Sequence, residues 1–399
     1  MAGREPALIL KKDKEKSLLK KHPWIFSGAV GRILGEPGAG DTVRISSAGG
    51  EFLAWGAFSP ESQIRARVWS FRESERIDGV FFRARLEAAA GRRRAAGFEE
   101  AGTNAYRLVH GESDGLPGLI VDKYAGCLAV QFLFTGVEKN RDLILEGLES
   151  LFPGLPVWER SDTEARMREG LPPRSGLLCG PPVPDRVEIM ENGLKFLVDV
   201  KEGQKTGFFL DQRDARNALR GFTRGARVLD CFSYTGGFTV SALAGGAAAV
   251  TAVDSSAKAL GMIADNVAAN GFDPAACELV RGDSFEELRR FTVEKRKFDV
   301  VVLDPPKLAS RKEHLKKAER AYKDANLLAL KALAPGGVLF TFSCSGAVGR
   351  EDFFKIVAWA ALDAGAGAAV IGALGQPADH PVALSFPQSE YLKGLIVRV

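Results

Sequence analysis

Glycine-rich and acidic residues follow three short apolar runs in the C-terminal half of this 399-residue chain. The run Arg227–Cys231 leads into a turn containing Gly236, and a glycine lets a ligand approach the backbone closely. A second run ends at Asp254, whose carboxylate can accept hydrogen bonds from both hydroxyls of a ribose. A third run, Glu278–Arg281, is followed by Asp283, which is placed to bind an adenine amino group.

Each of these features alone has an ordinary explanation, because glycine turns are common and either aspartate could cap the helix that follows it. Their order and spacing together favour a site for S-adenosylmethionine (SAM). NAD is disfavoured because the glycine spacing of the dinucleotide fingerprint is absent and no pyrophosphate cradle is present.

An aspartate and a cysteine follow the next two apolar runs. Asp304 opens the segment Asp304-Pro305-Pro306-Lys307, whose prolines stiffen the chain, although such a segment can also be only a rigid turn. Cys344 lies between serines after the run Val338–Phe342. A free cysteine is usually a buried small apolar residue. Cys344 is expected at the same edge of the sheet as Asp304, and there it is instead predicted to be a nucleophile.

A cysteine nucleophile serves one particular methylation. C5 of cytosine is too weak a nucleophile to take a methyl group directly, but a thiolate that adds to C6 places electron density on C5. A hydrogen bond or proton at N3 assists this addition, and Asp304 is the candidate donor if its pKa is raised. Methylation of an exocyclic amine needs no thiolate, so the presence of Cys344 favours methylation of C5 over methylation of an amine.

The elements that position these residues alternate between strand and helix from about Lys201 onward. This alternation predicts an α/β fold with a parallel sheet, whose ligands bind at the carboxyl ends of the strands. Before it, Asn192-Gly193 predicts a hairpin turn, and the Pro- and Gly-rich segment Gly170–Asp185 is interpreted as a linker. Two helices are predicted over Asp78–Gly97 and Val137–Leu151.

The N-terminal stretch Pro6–Phe71 combines short apolar runs with Gly-rich turns, which predicts a small β-barrel. Basic and aromatic residues are mixed into it, and such a surface can hold phosphate and stack bases. Composition alone favours the plainer interpretation, in which Trp24 and Trp69 belong to the core and the lysines are solvated.

Composition limits the class of protein. The net charge of +4 and the isoelectric point near 8.7 are compatible with nucleic acid as a partner but do not require it. The five cysteines are scattered and form no Cys-x-x-Cys pair, which argues against disulfides and against a metal site. No signal-peptide core or membrane span is recognised. We therefore expect a cytoplasmic protein without a metal.

The chain resembles the bacterial large-subunit ribosomal RNA cytosine-C5 methyltransferases of the RlmI-like family. These combine a PUA domain, a central EEHD domain and a Rossmann-like methyltransferase domain. The resemblance covers nearly the whole chain. It is carried by His22–Ala29, Gly111–Gly118, Lys205–Arg213, Phe232–Phe238, Asp304–Lys307, Ser343–Gly346 and Ala378–Pro381.

The resemblance implies an RNA-binding PUA domain at residues 1–74, a central α+β domain of EEHD type at 75–188 and a Rossmann-like domain at 189–399. It implies 23S ribosomal RNA as substrate, 5-methylcytosine as product and, in many members, a homodimer. Catalysis is assigned to Cys344 and Asp304. The implied SAM contacts are Gln212, Arg213, Phe232, Ser233, Gly236, Asp254, Asp283 and Asp304. RNA contacts are predicted for His22, Trp24, Arg65, Arg67 and Lys307.

The chain departs from the family pattern at Met190-Glu191-Asn192-Gly193, where the motif that names the central domain lacks its histidine. A second cysteine, used elsewhere for product release, is also absent from Asp304–Lys307. Two alternatives stay open. One is a SAM-dependent enzyme that acts on guanine or an exocyclic amine, and the other is an RNA-assembly factor with a vestigial SAM site.

Overall fold

A six-stranded β-domain forms the N-terminal part of the computed structural model, which describes residues 5–308 and 315–399. Its elements are β1 (Ala7–Leu10), α1 (Lys16–Leu19), β2 (Trp24–Phe26), β3 (Val30–Leu34), β4 (Thr42–Ser46), β5 (Phe52–Phe58) and β6 (Ile64–Ser70). The strand order is β2-β6-β5-β4-β1-β3. Alternating apolar residues such as Val43 and Ile45 point into one core, as the period of two requires. The short strands on which the prediction of a small β-barrel rested are present, and they form one six-stranded sheet.

A five-stranded sheet with helices follows. Its elements are α2 (Gly79–Ala95), β7 (Ala105–His110), β8 (Leu119–Tyr124), β9 (Cys127–Phe132), α3 (Thr135–Lys139), α4 (Arg141–Leu151), β10 (Val157–Ser161), α5 (Glu164–Met167) and β11 (Arg174–Cys179). The strand order is β11-β10-β9-β8-β7. Asp78 caps α2 by accepting the N–H groups of Val80 and Phe81, so the predicted helix begins where its capping residue stands. The second predicted helix is divided into α3 and α4.

The interpretation of Gly170–Asp185 as a linker is wrong. Residues Arg174–Cys179 form β11, which pairs antiparallel with β10 at the edge of the sheet. Prolines flank this strand on both sides, at Pro173 and Pro181. A proline cannot donate to a sheet ladder, so it ends an edge strand without preventing one.

The β-domain and the central sheet share a hydrophobic core. Trp69 of β6 packs edge-on against Phe82 of α2, with ring centroids 5.4 Å apart, and both side chains are buried. Ala57 of β5 belongs to the same cluster. The assignment of Trp69 to the core is thus confirmed.

Several segments that carry the family resemblance meet in a buried polar network. Arg93 donates to both carboxylate oxygens of Asp114, at 2.7 and 2.8 Å, and to the backbone oxygen of Asp379 at 2.7 Å. Asp122 accepts two bonds from Arg107 and one from Thr206, at 2.6–2.9 Å. Buried charges are tolerated only when paired in this way, so these segments stabilise the fold.

The C-terminal half has the predicted α/β order. It contains the hairpin β12 (Val187–Glu191) and β13 (Leu194–Val198), then α6 (Arg213–Leu219), β14 (Arg227–Cys231), α7 (Gly237–Ala244), β15 (Ala249–Asp254), α8 (Ala257–Ala269), β16 (Cys277–Arg281), α9 (Ser284–Val293), β17 (Phe298–Leu303), α10 (Leu315–Ala332), β18 (Leu333–Ser343), α11 (Arg350–Ala364), β19 (Ala369–Gly375) and β20 (Lys393–Arg398). The seven-stranded sheet runs β16-β15-β14-β17-β18-β20-β19. Only β20 in this order runs antiparallel to its neighbours. The fold class is as predicted.

Contacts between α-carbons divide the chain into two compact units. The first contains Met1–Ile189, Val198–Phe208 and Ala378–Ser389, and the second contains the remaining residues. Two short segments of the predicted third domain therefore pack with the first unit. The network above gives the reason, because Thr206 and Asp379 bond to the central sheet. In the part of the chain that the structure describes, no helix is long and apolar enough to span a membrane.

Candidate active site

The carboxyl ends of five neighbouring parallel strands bring the predicted site residues into one row. Cys231 at the end of β14 pairs with Val253 of β15 on one side and with Leu303 of β17 on the other, and Leu303 pairs with Thr341 of β18. Adjacent strands lie about 4.8 Å apart. Along this edge, from β16 to β18, the residues that follow the strands are Asp283, Asp254, Phe232, Asp304 and Cys344.

The loop after β14 adopts an uncommon backbone conformation. Phe232 and Tyr234 have φ values of 61° and 48°, in the left-handed region that residues other than glycine seldom occupy. Gly236 follows with φ 83°, and a Cβ there would lie 3.0 Å from Ile263. Such strain is concentrated at functional sites. The loop therefore stays the candidate ligand-binding turn.

Asp254 fastens this loop to the sheet. Its Oδ2 accepts the Tyr234 N–H at 2.9 Å, and its Oδ1 accepts the Ser256 N–H at 2.8 Å. The residue that caps α8 is Ser256, whose hydroxyl accepts the Ala259 N–H. A carboxylate has about four acceptor positions, so Asp254 can still accept ribose hydroxyls.

Phe232, Ser233 and Asp283 have partners within the same edge. The Phe232 N–H donates to the Ser284 hydroxyl at 3.1 Å, and the Ser233 hydroxyl donates to the Val253 carbonyl at 3.1 Å. Asp283 caps α9 by accepting the N–H groups of Phe285 and Glu286. Both bonds go to Oδ1 of Asp283, so the cap leaves Oδ2 available to a ligand.

Asp230 is a buried carboxyl group that the sequence analysis did not single out. Its Oδ2 accepts the Thr239 hydroxyl at 2.7 Å. Burial, together with the neighbouring carboxylates of Asp304 and Asp254, raises the pKa of Asp230 to about 7, against the lowering effect of the hydrogen bonds from Thr239. The signal available in the sequence was the position of an acidic residue inside an apolar strand. Perturbed carboxyl groups of this kind are concentrated at functional sites.

The raised pKa predicts a pH effect on stability. Unfolded aspartate titrates near pH 4, so between about pH 4 and pH 7 the native protein keeps a proton that the unfolded chain has released. The contribution of Asp230 to the free energy of unfolding is therefore full below about pH 4 and is lost as the pH rises to about 7. In Asp230→Asn this pH dependence should be absent, and the variant should be more stable than the wild type above neutrality. Urea unfolding at several pH values measures the free energy of unfolding of both proteins. If the free energy changes with pH in the same way for both, the raised pKa of Asp230 is contradicted.

Gln212 and Arg213 lie at the start of α6, and both are buried. Two contacts hold the segment that leads into α6. The Phe209 ring packs edge-on against Tyr234 at 5.3 Å, and the Tyr391 hydroxyl donates to Asp211 at 2.7 Å. The structure thus places the predicted pair beside the loop after β14.

Three buried oxygens at this edge have no hydrogen-bond partner among the described residues. They are Oδ1 of Asp230, Oγ1 of Thr235 and Oε1 of Gln212. Buried polar atoms are nearly always paired. A ligand that carries amino and hydroxyl groups would supply the missing donors, so the site suits SAM.

Cys344 follows β18 directly, and its side chain is partly exposed, whereas Ser343 and Ser345 on either side are buried. The Ser345 hydroxyl lies 3.0 Å from the Tyr322 hydroxyl, and the Ser345 carbonyl accepts a bond of 2.7 Å from Lys393. The buried neighbours hold the loop, while Cys344 itself remains partly exposed.

Asp304 is partly buried at the end of β17, and its charge acts on Asp230. Lys307 is exposed three residues later. The structure therefore brings Asp304 to the strand end next to that of Cys344, as predicted, while Lys307 remains accessible to a large substrate.

The N-terminal residues predicted to contact RNA make several contacts within the protein. Trp24 donates through Nε1 to Glu112 at 2.7 Å, and His22 accepts the Trp24 N–H at 3.1 Å. Arg67 forms a salt bridge of 2.9 Å with Glu169, and Arg65 donates to the Ser59 carbonyl at 3.2 Å. His22, Trp24, Arg65 and Arg67 are all partly exposed. Their role toward RNA stays a prediction.

The second unit also contains a buried ion pair that the sequence analysis missed. Arg216 of α6 forms two bonds of 2.6 Å with Glu191 of β12. A Cβ at Gly237, the first residue of α7, would lie 2.9 Å from the Arg216 side chain. Glu191 belongs to the segment in which the family's histidine is missing. This segment therefore still contributes a residue that supports the start of α7.

Comparison with known proteins shows the family to which the chain belongs. A family model for S-adenosylmethionine-dependent methyltransferases matches residues 106–382, and a PUA-like domain model matches residues 8–71. The ribosomal RNA large subunit methyltransferase I of Klebsiella pneumoniae is 48% identical over 394 residues, covering 99% of this chain and 98% of its own. The protein of that name from Aeromonas hydrophila is 50% identical over 393 residues, covering 98% and 99%.

Solved structures show the same fold. A Streptococcus mutans structure assigned as a SAM-dependent methyltransferase superimposes with a TM-score of 0.85 at 23% identity, covering 98% of this chain and 100% of its own. The methyltransferase SMU.776, solved in complex with S-adenosylhomocysteine, gives a TM-score of 0.85 at 24% identity, with the same coverage.

Proposed function

Because the chain belongs to the family of SAM-dependent methyltransferases named ribosomal RNA large subunit methyltransferase I, we propose that it methylates C5 of a cytosine in 23S ribosomal RNA. The observation that carries this proposal is the position of Cys344. Its thiol is partly exposed at the end of β18, beside Asp304 at the end of β17, in the row of strand ends that also holds the SAM residues.

SAM supplies an electrophilic methyl group on a sulfonium centre. We propose that Asp254 accepts hydrogen bonds from its ribose and that Asp283 binds its adenine. The end of SAM that carries the amino group is assigned to Gln212 and Asp230, which have buried oxygens without a hydrogen-bond partner among the described residues. Arg213, Phe232, Ser233, Gly236 and Asp304 complete the proposed contacts.

Replacing Asp254 with alanine should raise the Kd for SAM by about ten- to a hundredfold. A hydrogen bond to a charged group contributes about 1.5–3 kcal/mol, and Asp254 also fastens the Tyr234 loop. Isothermal titration with SAM measures the change. Asp273→Ala is the matched control, because Asp273 is exposed and its carboxylate accepts the local N–H of Ala275. Equal Kd values for both variants would contradict the role of Asp254.

In the proposed reaction the Cys344 thiolate adds to C6 of cytosine, forming a carbon–sulfur bond as the C5–C6 double bond opens. C5 then takes the methyl group. A base removes the proton from C5, the double bond is restored and the thiolate leaves, so the enzyme returns to its starting state. Asp304 is assigned to the N3 edge of the base, where it would donate the proton or hydrogen bond that offsets the negative charge developing at N3.

RNA contacts are proposed for residues of the N-terminal domain. Its partly exposed residues His22, Trp24, Arg65 and Arg67 combine aromatic and cationic groups, which suit stacking and phosphate contacts. Exposed Lys307 would bind phosphate near the reacting base. A location in the cytoplasm, with the ribosomal RNA, is part of the same proposal.

The proposal is tested by incubating the protein with labelled SAM and unmodified large-subunit RNA. The RNA is then digested, and the modified nucleoside is identified by mass spectrometry. We expect 5-methylcytosine. A methylated guanine or an N-methylated base would instead mean that the SAM site serves another reaction. RNA binding without any methyl transfer would indicate an assembly factor.

We also propose that two copies of the chain associate, through an apolar stripe on α11. Phe354, Trp359 and Leu362 are 50%, 53% and 77% exposed, and large apolar side chains rarely cluster on a surface that stays in water. Light scattering should give twice the chain mass of 42.9 kDa. A mass of one chain would refute the dimer and leave the enzymatic proposal intact.

A further inference from the structure

Lys393 lies beside the loop that carries Cys344. It is the first residue of β20 and pairs with Ser343, the last residue of β18. Its side chain is buried, and Nζ donates two bonds of 2.7 Å, to the carbonyls of Ser345 and Tyr391. The backbone of Lys393 thus pairs with the residue before Cys344, and its ammonium group bonds to the carbonyl of the residue after Cys344.

This ammonium group has no carboxylate partner in a salt bridge within residues 5–308 and 315–399. Burying a charge without an opposite charge is costly, yet two neutral carbonyls are the acceptors that Lys393 has here. Two potential anions, Cys344 and Glu390, favour the protonated lysine, and Cys344 has the larger effect of the two. The arrangement is therefore favourable in electrostatic terms when the cysteine is ionised.

The charged groups that act on Lys393 come from several elements. Burial, together with the positive charges of Arg350 and Lys307, lowers the pKa of Lys393 to about 8, against the raising effect of Cys344 and Glu390. The lysine therefore remains mostly protonated at neutral pH. Cys344 also acts on Tyr322 of α10, and burial raises the pKa of the Tyr322 hydroxyl, so the phenol stays neutral.

We propose that Lys393 is a positioning residue that keeps Cys344 in its thiolate form and holds its loop for attack on the nucleobase. The part of this proposal that concerns the nucleobase rests on the proposed function of Cys344. The electrostatic part does not, because the attraction between an ammonium and a thiolate is mutual and exists without RNA.

A purely structural role is the alternative. In that case Lys393 would only satisfy the carbonyls of Ser345 and Tyr391, and its charge would be incidental. Lys393→Gln separates the two roles, since the amide retains N–H donors but carries no charge. Lys393→Met removes both donors and charge, and Lys393→Arg retains the charge. Lys355→Met is the matched control, because Lys355 is exposed on α11.

The experiment measures the rate of alkylation of Cys344 by iodoacetamide as a function of pH, with the modified cysteine identified by peptide mass spectrometry. An opposite charge nearby shifts a titration by about 1–3 pH units. We therefore expect Cys344 of the Gln and Met variants to react at least about tenfold more slowly than the wild type at neutral pH. Lys393→Arg should recover most of the rate, and Lys355→Met should match the wild type.

Superimposable pH profiles for wild type and Lys393→Gln would overturn the proposal. If the Gln and Met variants do not fold, the wild-type profile decides, since a titration midpoint at or above about 8.5, the value of an ordinary cysteine, also overturns it. The outcome is independent of the methylation assay. A profile that depends on Lys393 while Cys344→Ala still methylates RNA would refute the proposed function alone.

Discussion

Cys344→Ala should abolish the formation of 5-methylcytosine, with a fall in the methylation rate of at least about a thousandfold. Without the thiolate no bond forms at C6, so C5 does not become nucleophilic enough to take the methyl group. The loss should appear in the single-turnover rate. Because the side chain is small and partly exposed, the substitution should leave the free energy of unfolding nearly unchanged.

Two controls make this result specific. Cys277→Ala replaces another partly buried cysteine at the start of β16 and should retain full activity. The Kd of Cys344→Ala for SAM should equal that of the wild type, since the SAM residues follow other strands. Retention of methyl transfer by Cys344→Ala would mean that the cysteine is structural and that the chemistry proceeds on another atom of the base.

The second large effect is expected on stability, from Glu191→Ala. Glu191 and Arg216 are 2% and 3% exposed and are joined by two bonds of 2.6 Å. Removal of the carboxylate leaves a guanidinium group buried without its partner, which typically costs about 3–5 kcal/mol. Urea denaturation followed by circular dichroism should show this loss as an earlier unfolding of the second unit. The affinity for SAM should fall as well, because Arg216 packs against Gly237.

Asp363→Ala provides the comparison. Asp363 forms a salt bridge of 2.6 Å with Lys323 in the same unit, but both side chains are substantially exposed, so its removal should cost at most about 1 kcal/mol. In the double variant Glu191→Met/Arg216→Met the buried charge is removed together with its partner, and much of the stability should return. If Glu191→Ala and Asp363→Ala lose the same small amount, the buried pair does not have the structural importance assigned to it.

The sequence alone determined the second unit's fold and the strand ends on which its site is built. Alternating apolar strands and helices specify a parallel sheet because each element must bury one face. Acidic residues and glycines at strand ends identify the ligand edge, since backbone groups are free only where strands stop. For that reason Asp254, Asp283, Asp304 and Cys344 could be predicted before any distance was known.

Tertiary structure alone decided the partners of these residues. A lysine at the start of an apolar run resembles any strand boundary, and only the antiparallel pairing of β20 with β18 brings Lys393 to the Cys344 loop. Likewise β11 was mistaken for a linker, because an edge strand between prolines has no local signal that distinguishes it. Local sequence reports propensity and period, whereas strand order, register and burial are set by segments far apart in the chain. Strand order, register and burial therefore determine which charged side chains lie close together.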